Sequence, residues 1–185
     1  MTTPHELGAI PDDRRMTVVD KRFVAAPLAV IFKIAADVEQ WPALLPHYRF
    51  VRFHNKRRDG GGLVEMSANR PFALAKWRTW WTSLMSITPP GSAGGRPPSI
   101  RFRHVRGVTA GMEVEWQFEA TKRGTTVRIV HVWNGPAWPL IGELAARRVI
   151  GPVFVHGIAS RTLAGLAHAA ERMATDGTRT EVSSG

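Results

Sequence analysis

Two histidines and one arginine lie at alternate positions of strand-like runs whose other members are apolar. They are His104 and Arg106 in one run and His131 in another. The residues that share their faces are Ile100, Phe102, Val127, Ile129 and Trp133. Because successive strand residues point to opposite faces, this spacing predicts that these three polar groups point into the interior. An unpartnered buried polar group costs about 1–3 kcal/mol, so water, a neighbouring side chain or a ligand must meet each one.

Imidazole is suited to proton transfer because its unperturbed pKa lies near neutrality. His104 and His131 are candidate functional groups, and a hydrogen-bonded core histidine is the alternative interpretation for each. No carboxylate accompanies them at ligand spacing and the chain has no cysteine, so neither a metal site nor thiol chemistry is predicted. The run Gly60-Gly61-Gly62 precedes no helical pattern and predicts a hairpin turn rather than a phosphate-binding loop. We therefore expect no metal and no cofactor.

The alternating pattern that positions these groups recurs along the chain and predicts an antiparallel sheet. The predicted strands are Met16–Val24, Tyr48–Lys56, Leu63–Asn69, Leu74–Ile87, Ser99–Arg106, Met112–Thr121 and Thr125–Trp133. The clearest run alternates Met112, Val114, Trp116 and Phe118 with Glu113, Glu115, Gln117 and Glu119. Turn-rich breaks such as Arg70-Pro71 separate the runs, and strands joined in this way are usually antiparallel neighbours. Trp80 and Trp81 are adjacent and must face opposite ways, so one of them is predicted to be exposed.

The helical patterns are fewer, and the last one is the longest. Pro27 is suited to the first turn of a helix, and a short helix or turn follows near Trp41. A second helical run covers Leu140–Ile150, and Gly151-Pro152 must break it before a helix from Pro152 to about Ala174. The apolar stripe of this last helix consists of Val155, Ile158, Ala159, Thr162, Leu166, Ala169, Ala170 and Met173.

A sheet is needed to cover a stripe of this length, so we predict an α+β fold in which one antiparallel sheet grips one helix. Several residues of the stripe are small, which leaves either a close backbone approach or an empty space beneath the helix. Polar groups, large aromatic residues and this small-residue seam all point to the same interior. The sequence therefore predicts an internal cavity for a ligand.

The chain of 185 residues is long enough for one domain, which we place at residues 16–175 between a flexible arm (1–15) and a flexible tail (176–185). The formal net charge is +10, but the arginines are scattered and no nucleic-acid fold signature accompanies them. The charge therefore indicates a solvated basic face, and nucleic-acid binding is not expected. We find no apolar run suited to a signal peptide or to membrane insertion, so a cytoplasmic protein is expected. The oligomeric state stays open.

Several short motifs accompany this order of elements. They are Ala26-Pro27, Asp37-Val38-Glu39, Trp41-Pro42, Asn69-Arg70-Pro71, Met112 with Trp116, and Gly124-Thr125 before Val127-Arg128. Together they resemble the START-like (SRPBCC) superfamily with its helix-grip fold, over nearly all of residues 16–173. More narrowly, the chain is similar to the polyketide cyclase/aromatase and lipid-transport branch, which includes coenzyme Q-binding-like proteins.

The resemblance implies a set of site residues. The tyrosine that follows the Trp-Pro turn in the family corresponds to Tyr48, and its Trp-x-Ser strand pattern is similar to Trp81-Thr82-Ser83. The family's polar arginine two positions further on falls at Met85, so a cyclase would divide the acid–base and positioning work among Tyr48, Ser83, His104 and His131. The expected walls of the cavity are Trp81, Met85, Phe102, Arg106, Val114, Trp116, Ile129, Trp133, Ile158, Thr162 and Leu166.

The resemblance also implies an activity. An aromatase/cyclase holds a flexible poly-β-ketone and steers one aldol closure and dehydration, which requires cavity shape and a few donors more than strong catalytic groups. The expected partner is thus an extended hydrophobic or aromatic small molecule. The alternative is a non-catalytic carrier of a lipid or an isoprenoid quinone. A third hypothesis, an interaction domain with a filled core, predicts no cavity.

Overall fold

The computed structural model describes residues 7–72, 75–107, 109–135 and 156–183, apart from the side chains of 70–72, 75–77 and 177–183. Seven strands of these ranges form one curved antiparallel sheet in the order β1-β7-β6-β5-β4-β3-β2. They are β1 Met16–Val24, β2 Tyr48–Lys56, β3 Gly62–Phe72, β4 Ala75–Thr88, β5 Ser99–Gly107, β6 Glu113–Thr121 and β7 Gly124–Trp133. The helices are α1 Leu28–Ala36, α2 Trp41–Leu44 and α3 His156–Ser183, with 3₁₀ turns at Val38–Gln40 and Ala93–Gly95.

This architecture confirms the predicted α+β helix-grip fold, in which the inner face of the sheet packs against α3. The predicted helix over Leu140–Ile150, the Gly151-Pro152 break and Val155 lie outside the described residues. Among the described helices, none is both long and apolar enough to cross a membrane.

The predicted break at Arg70-Pro71 is wrong, because β3 continues through these residues and pairs Pro71 with Lys76 of β4. A proline is tolerated there since β3 pairs with β2 only as far as Ala68. Beyond that residue no strand of the described ranges pairs with the other edge of β3, so the missing N–H interrupts none of these ladders.

The predicted inner faces of β6 and β7 are confirmed. The buried residues of these faces are Met112, Val114, Trp116, Phe118, Val127, Ile129 and Trp133. Trp81 is buried and Trp80 is 49% exposed, as the opposite faces of adjacent strand residues require.

The prediction that Arg106 faces inward is wrong. On β5, Arg106 pairs with Thr82 and His104 pairs with Ser83, so Val105 is an extra residue opposite β4. Such a bulge shifts the alternation by one position, because two residues of one strand oppose one residue of its partner. As a result both Val105 and Arg106 are exposed, while His104 keeps its inward direction.

A small residue of α3 allows another part of the chain to approach the helix closely. Near its middle, Gly165 lies so close to Leu45 that an added Cβ would clash with the leucine side chain, and Leu166 and Ala167 are fully buried. Here the helix closely approaches the chain before β2.

Toward the end of α3, Met173 is 54% exposed, so its predicted place in the buried stripe is wrong. The helix also continues to Ser183, past the predicted start of a tail.

The outer face of the sheet is covered near its centre by the segment before β1. Arg101 and Glu113 each have 4% exposure although both point away from α3, and their side chains form an ion pair of 2.5 Å. Arg101 also donates hydrogen bonds to the carbonyls of Leu7 and Gly8, and Leu7 is buried. The predicted arm thus contacts the sheet at these residues.

Replacing Arg101 by methionine is expected to lower the free energy of unfolding by about 3–5 kcal/mol, because it leaves the Glu113 carboxylate buried without its main partner. The matched control is Arg103→Met. Arg103 bonds the same carboxylate at 3.1 Å but is 46% exposed, so a loss of about 1 kcal/mol or less is expected. Equal losses for the two variants in denaturant titrations would contradict a buried ion pair stabilised by the N-terminal segment.

Candidate ligand cavity

A cavity lies between the inner face of the sheet, α2 and the first described turns of α3. Its volume is about 70 Å³. The lining residues are Trp41, Tyr48, Met66, Trp81, Phe102, His104, Thr109, Met112, Val114, Trp116, Ile129, His131, Ile158, Ala159 and Thr162. The walls are thus mostly aromatic and aliphatic, with a few convergent polar groups, as is usual for small-molecule sites.

Most of the site residues predicted from the sequence lie in this lining. They are Tyr48, Trp81, Phe102, His104, Val114, Trp116, Ile129, His131, Ile158 and Thr162. Those outside the lining are Ser83, Met85, Arg106, Trp133 and Leu166. Arg106 is on the outer face because of the bulge in β5, and the indole of Trp133 donates to the Ala110 carbonyl at 3.0 Å.

Ser83, Met85 and Leu166 face inward but are completely buried. Among the described residues, the cavity between sheet and helix lies near the beginning of α3, where Ile158, Ala159 and Thr162 contribute to the walls. Further along α3 side chains fill the same space. The Ser83 hydroxyl hydrogen-bonds to no residue in the described part of the chain.

Some lining residues were not selected from the sequence. Met66 and Met112 occupy inner positions of an alternating pattern, so the signal existed. Trp41 lies on α2 and reaches the cavity over the end of the sheet, with its ring 5.6 Å from that of Trp116. Thr109 lies in the connection between β5 and β6, where no periodic pattern indicates direction.

His104 is held in a fixed orientation. Its Nδ1 lies 2.7 Å from the hydroxyl of Thr109, which is 3% exposed. Trp81 stacks on the imidazole with ring centroids 5.9 Å apart and an interplanar angle of 19°. Stacking and hydrogen bonding together position the imidazole at the cavity wall. His131 lines the same cavity from β7, opposite Val114 of β6.

Tyr48 and Thr162 bring two hydroxyl groups to the cavity wall. The Thr162 hydroxyl donates to the Tyr48 phenol oxygen at 3.5 Å and lies 3.1 Å from Nε2 of His47. Trp41 packs against the Tyr48 ring edge-on, with centroids 5.3 Å apart. His47 does not line the cavity, but it connects to it through Thr162. Burial lowers the pKa of His47, and the positive charge of Arg161 lowers this pKa further.

The beginning of α3 is tied to the edge of the sheet by a buried carboxylate. Asp20 of β1 bonds Nδ1 of His156 at 2.6 Å and pairs with Ile129 in the ladder. Burial raises the pKa of Asp20, and His156 partly offsets this effect. The pair therefore holds the part of α3 that lines the cavity. Within the described ranges, no three His, Cys, Asp or Glu side chains are grouped to hold a metal ion.

The lowered pKa of His47 predicts a pH dependence of stability. Between the lowered value and its usual 6.5, the unfolded chain binds a proton that the folded chain does not. The free energy of unfolding should therefore rise as pH increases through this window and fall as pH drops below 6.5. His47→Gln should flatten this slope in denaturant titrations, whereas His168→Gln, at an exposed position of α3, should not. An unchanged slope in His47→Gln would contradict a buried, neutral His47.

Solved structures with this architecture include proteins of known class. An aromatase/cyclase from a Streptomyces species, Zhui, has a TM-score of 0.69 at 20% identity, over 85% of this chain and 94% of that chain. The di-domain ARO/CYC StfQ from the steffimycin biosynthetic pathway has a TM-score of 0.65 at 18% identity, over 86% and 52% respectively. A START superfamily protein from Mycobacterium smegmatis has a TM-score of 0.57 at 16% identity, over 86% and 97%. At these identities the likeness shows the fold alone.

The sequence gives the family assignment. No curated protein sequence is significantly similar to this chain. The family described as "Polyketide cyclase / dehydrase and lipid transport" matches residues 24–152, which is more than half of the chain and covers β2 through β7 and the last residue of β1. The chain therefore belongs to the polyketide cyclase/dehydrase and lipid transport family.

Proposed function

We propose that the protein binds an extended aromatic or polyketide-like molecule in the cavity under α3 and promotes its aldol cyclisation and dehydration. The observation that carries this proposal is the meeting of three polar groups in one aromatic cavity: the phenol of Tyr48 and the imidazoles of His104 and His131. Structural neighbours that are themselves aromatase/cyclases support it.

The walls of the cavity provide the binding energy and the shape. Trp41, Trp81 and Trp116 present indole faces and edges, and such rings bury large apolar areas and pack well against planar ligands. A flexible ketide chain folded against these rings would bring a carbon nucleophile close to its own carbonyl. Preorganisation of this kind supplies much of the rate enhancement of an intramolecular closure.

The polar groups would supply the proton transfers. A carbon between two carbonyls must lose a proton to a base, and a neutral imidazole of His104 or His131 is suited to accept it. The Tyr48 phenol would donate a hydrogen bond to the developing enolate oxygen or to the leaving hydroxyl. The hydrogen bond between Nδ1 of His104 and the Thr109 hydroxyl, together with the stacked Trp81, fixes the direction of the imidazole. For Nε2 to accept a proton, Nδ1 must be the donor in this hydrogen bond.

Ser83 has no part in this proposal, although it was a candidate from the family resemblance. It is buried beside His104 in the ladder between β4 and β5 and lies outside the cavity lining. Ser83 could therefore affect a bound ligand only indirectly, by positioning neighbours such as His104.

A molecule that carries both an aromatic ring and a β-diketone, 1-phenylbutane-1,3-dione, is expected to bind in isothermal titration calorimetry. Ala159 is a small lining residue of α3, so Ala159→Phe should fill the cavity and weaken binding at least about tenfold, or roughly 1.4 kcal/mol. Ala93→Phe makes the same change at an exposed position and should leave the affinity unchanged. Equal affinity in both variants, or no binding to the wild-type protein, would exclude this cavity as the binding site.

Tyr48→Phe and His131→Ala should each lower the rate of closure of a linear aromatic triketone by about 10²–10⁴, because each removes one proton-transfer group. The dissociation constants should change little, since the apolar walls remain. His168→Ala at an exposed position of α3 is the control. The rates are followed by the absorbance of the aromatic product.

A carrier would behave differently in the same experiment. It would show graded changes of affinity and no closure of the triketone by the wild-type protein. Retention of a lipid or an isoprenoid quinone by the freshly purified protein, detected by native mass spectrometry, would then identify the carrier function.

A further inference from the structure

Three polar groups form a line from the surface of the protein to the cavity. His47 is half-buried, whereas Tyr48 and Thr162 are 6% and 1% exposed and both line the cavity. The Thr162 hydroxyl is the central member, 3.1 Å from Nε2 of His47 and 3.5 Å from the phenol oxygen of Tyr48. Each group therefore has the next one within hydrogen-bond reach.

The backbone before β2 makes this line possible. Adjacent strand residues would point to opposite faces, but His47 precedes the strand, and its carbonyl accepts a hydrogen bond from Asn69. The Tyr48 N–H donates to Leu45 in the turn that leads into β2. This turn brings the two rings together, with centroids 4.8 Å apart, and both reach the same threonine of α3.

We propose that His47, Thr162 and Tyr48 form a proton path between solvent and the cavity, with His47 as its outer proton acceptor. The inference rests on the proposed function only for the use of the path, since a ligand with an acidic C–H would be the group that loses the proton. Neither His47 nor a path through Thr162 follows from the sequence pattern.

The proton balance of the path is simple. When the path acts as the base in place of His104 or His131, the two hydroxyls turn, so that Tyr48 donates to Thr162 instead of accepting from it, and Thr162 donates to Nε2 of His47. A carbon acid in the cavity then gives its proton to the Tyr48 oxygen as the phenol proton moves to Thr162, and the Thr162 proton moves to Nε2 of His47. Nε2 must accept, so the neutral ring carries its proton on Nδ1 at the start of the step. The resulting imidazolium then releases one proton to water, and the net change is one enolate in the cavity and one proton in solvent.

The electrostatic surroundings of His47 agree with an acceptor role. Burial and the neighbouring Arg161 lower the pKa of His47, so the ring is neutral at neutral pH and its imidazolium releases the proton readily. Within the described part of the chain, the ionisable groups near the ring are Arg161 on α3 and Tyr48 on β2. His104, by contrast, bonds inward to the buried Thr109.

The chain contains a single tyrosine, which allows a direct test without any ligand. In protein labelled with [¹³Cζ]tyrosine, the one resonance reports the state of the Tyr48 phenol. As pH is varied through the titration of His47, this resonance should show a step in the wild-type protein. The step should disappear in His47→Gln and in Thr162→Val, which keeps the shape of the side chain but removes the hydroxyl.

Thr162→Ser should restore the step because it keeps the hydroxyl, and Thr175→Val, at an exposed position of the same helix, should leave it intact. A step that persists in Thr162→Val would overturn the proposal, since the rings of His47 and Tyr48 would then interact directly through space. Failure of Thr162→Ser to restore the step would also overturn it.

A second measurement connects the path to the cavity. In D₂O, the exchange of the acidic C–H of bound 1-phenylbutane-1,3-dione should slow about tenfold or more in Thr162→Val, measured with the diketone saturating both proteins. Unchanged exchange in Thr162→Val would overturn the path. If the wild-type protein does not bind the diketone but the step in the tyrosine resonance still depends on Thr162, the proposed function fails while the hydrogen-bonded path stands.

Discussion

The structure depends on the packing of one long helix against one curved sheet, and this packing is complete along only part of the helix. Between Leu163 and Ala170, α3 meets the sheet and α1 through buried side chains, and Leu45 approaches Gly165 closely. On the same side of the helix Phe32 of α1 packs edge-on against Phe118 of β6, with centroids 5.0 Å apart. This filled middle part holds the helix in place, so that its beginning can remain open without loss of the fold.

The open end must also satisfy its polar groups. Polar side chains at a cavity wall lose water when a ligand enters, and an unpaired group would then weaken both stability and binding. The hydroxyls of Thr109 and Thr162 meet His104 and His47 respectively. Each histidine is thereby oriented by a threonine, and the aromatic walls can still contact a ligand. The same hydrogen bonds that stabilise the cavity wall would, in the proposed function, orient these imidazoles for proton transfer.

Each face of the sheet has a buried charged group with a partner of the opposite sign or a histidine. On the inner face, Asp20 meets His156 at the first described turn of α3. On the outer face, the Arg101–Glu113 ion pair is buried beneath Leu7 and Gly8, so the segment before β1 contributes to the fold. Other arginines of this face, such as Arg103 and Arg106, remain in contact with solvent, which is why the high net charge by itself indicates no particular partner.

Sequence periodicity determined the order of the elements, the bounds of β1 and β2, and the inner faces of β6 and β7, because alternation of apolar residues reports directly which side of a strand is buried. It also indicated that one of Trp80 and Trp81 is exposed. Periodicity says nothing, however, about what lies opposite an inner residue. Ser83, Met85 and Leu166 therefore had the same pattern as the residues of the cavity wall.

Only the tertiary structure decided the remaining features, and each depends on contacts between distant parts of the chain. The bulge at Val105 turned the Arg106 side chain to the outer face of the sheet. The segment before β1 buried Glu113 on the same face. The turn before β2 directed His47 toward Thr162, which is 115 residues away in sequence. Local patterns carry no information on such contacts because backbone irregularities and long-range packing, rather than residue alternation, determine them.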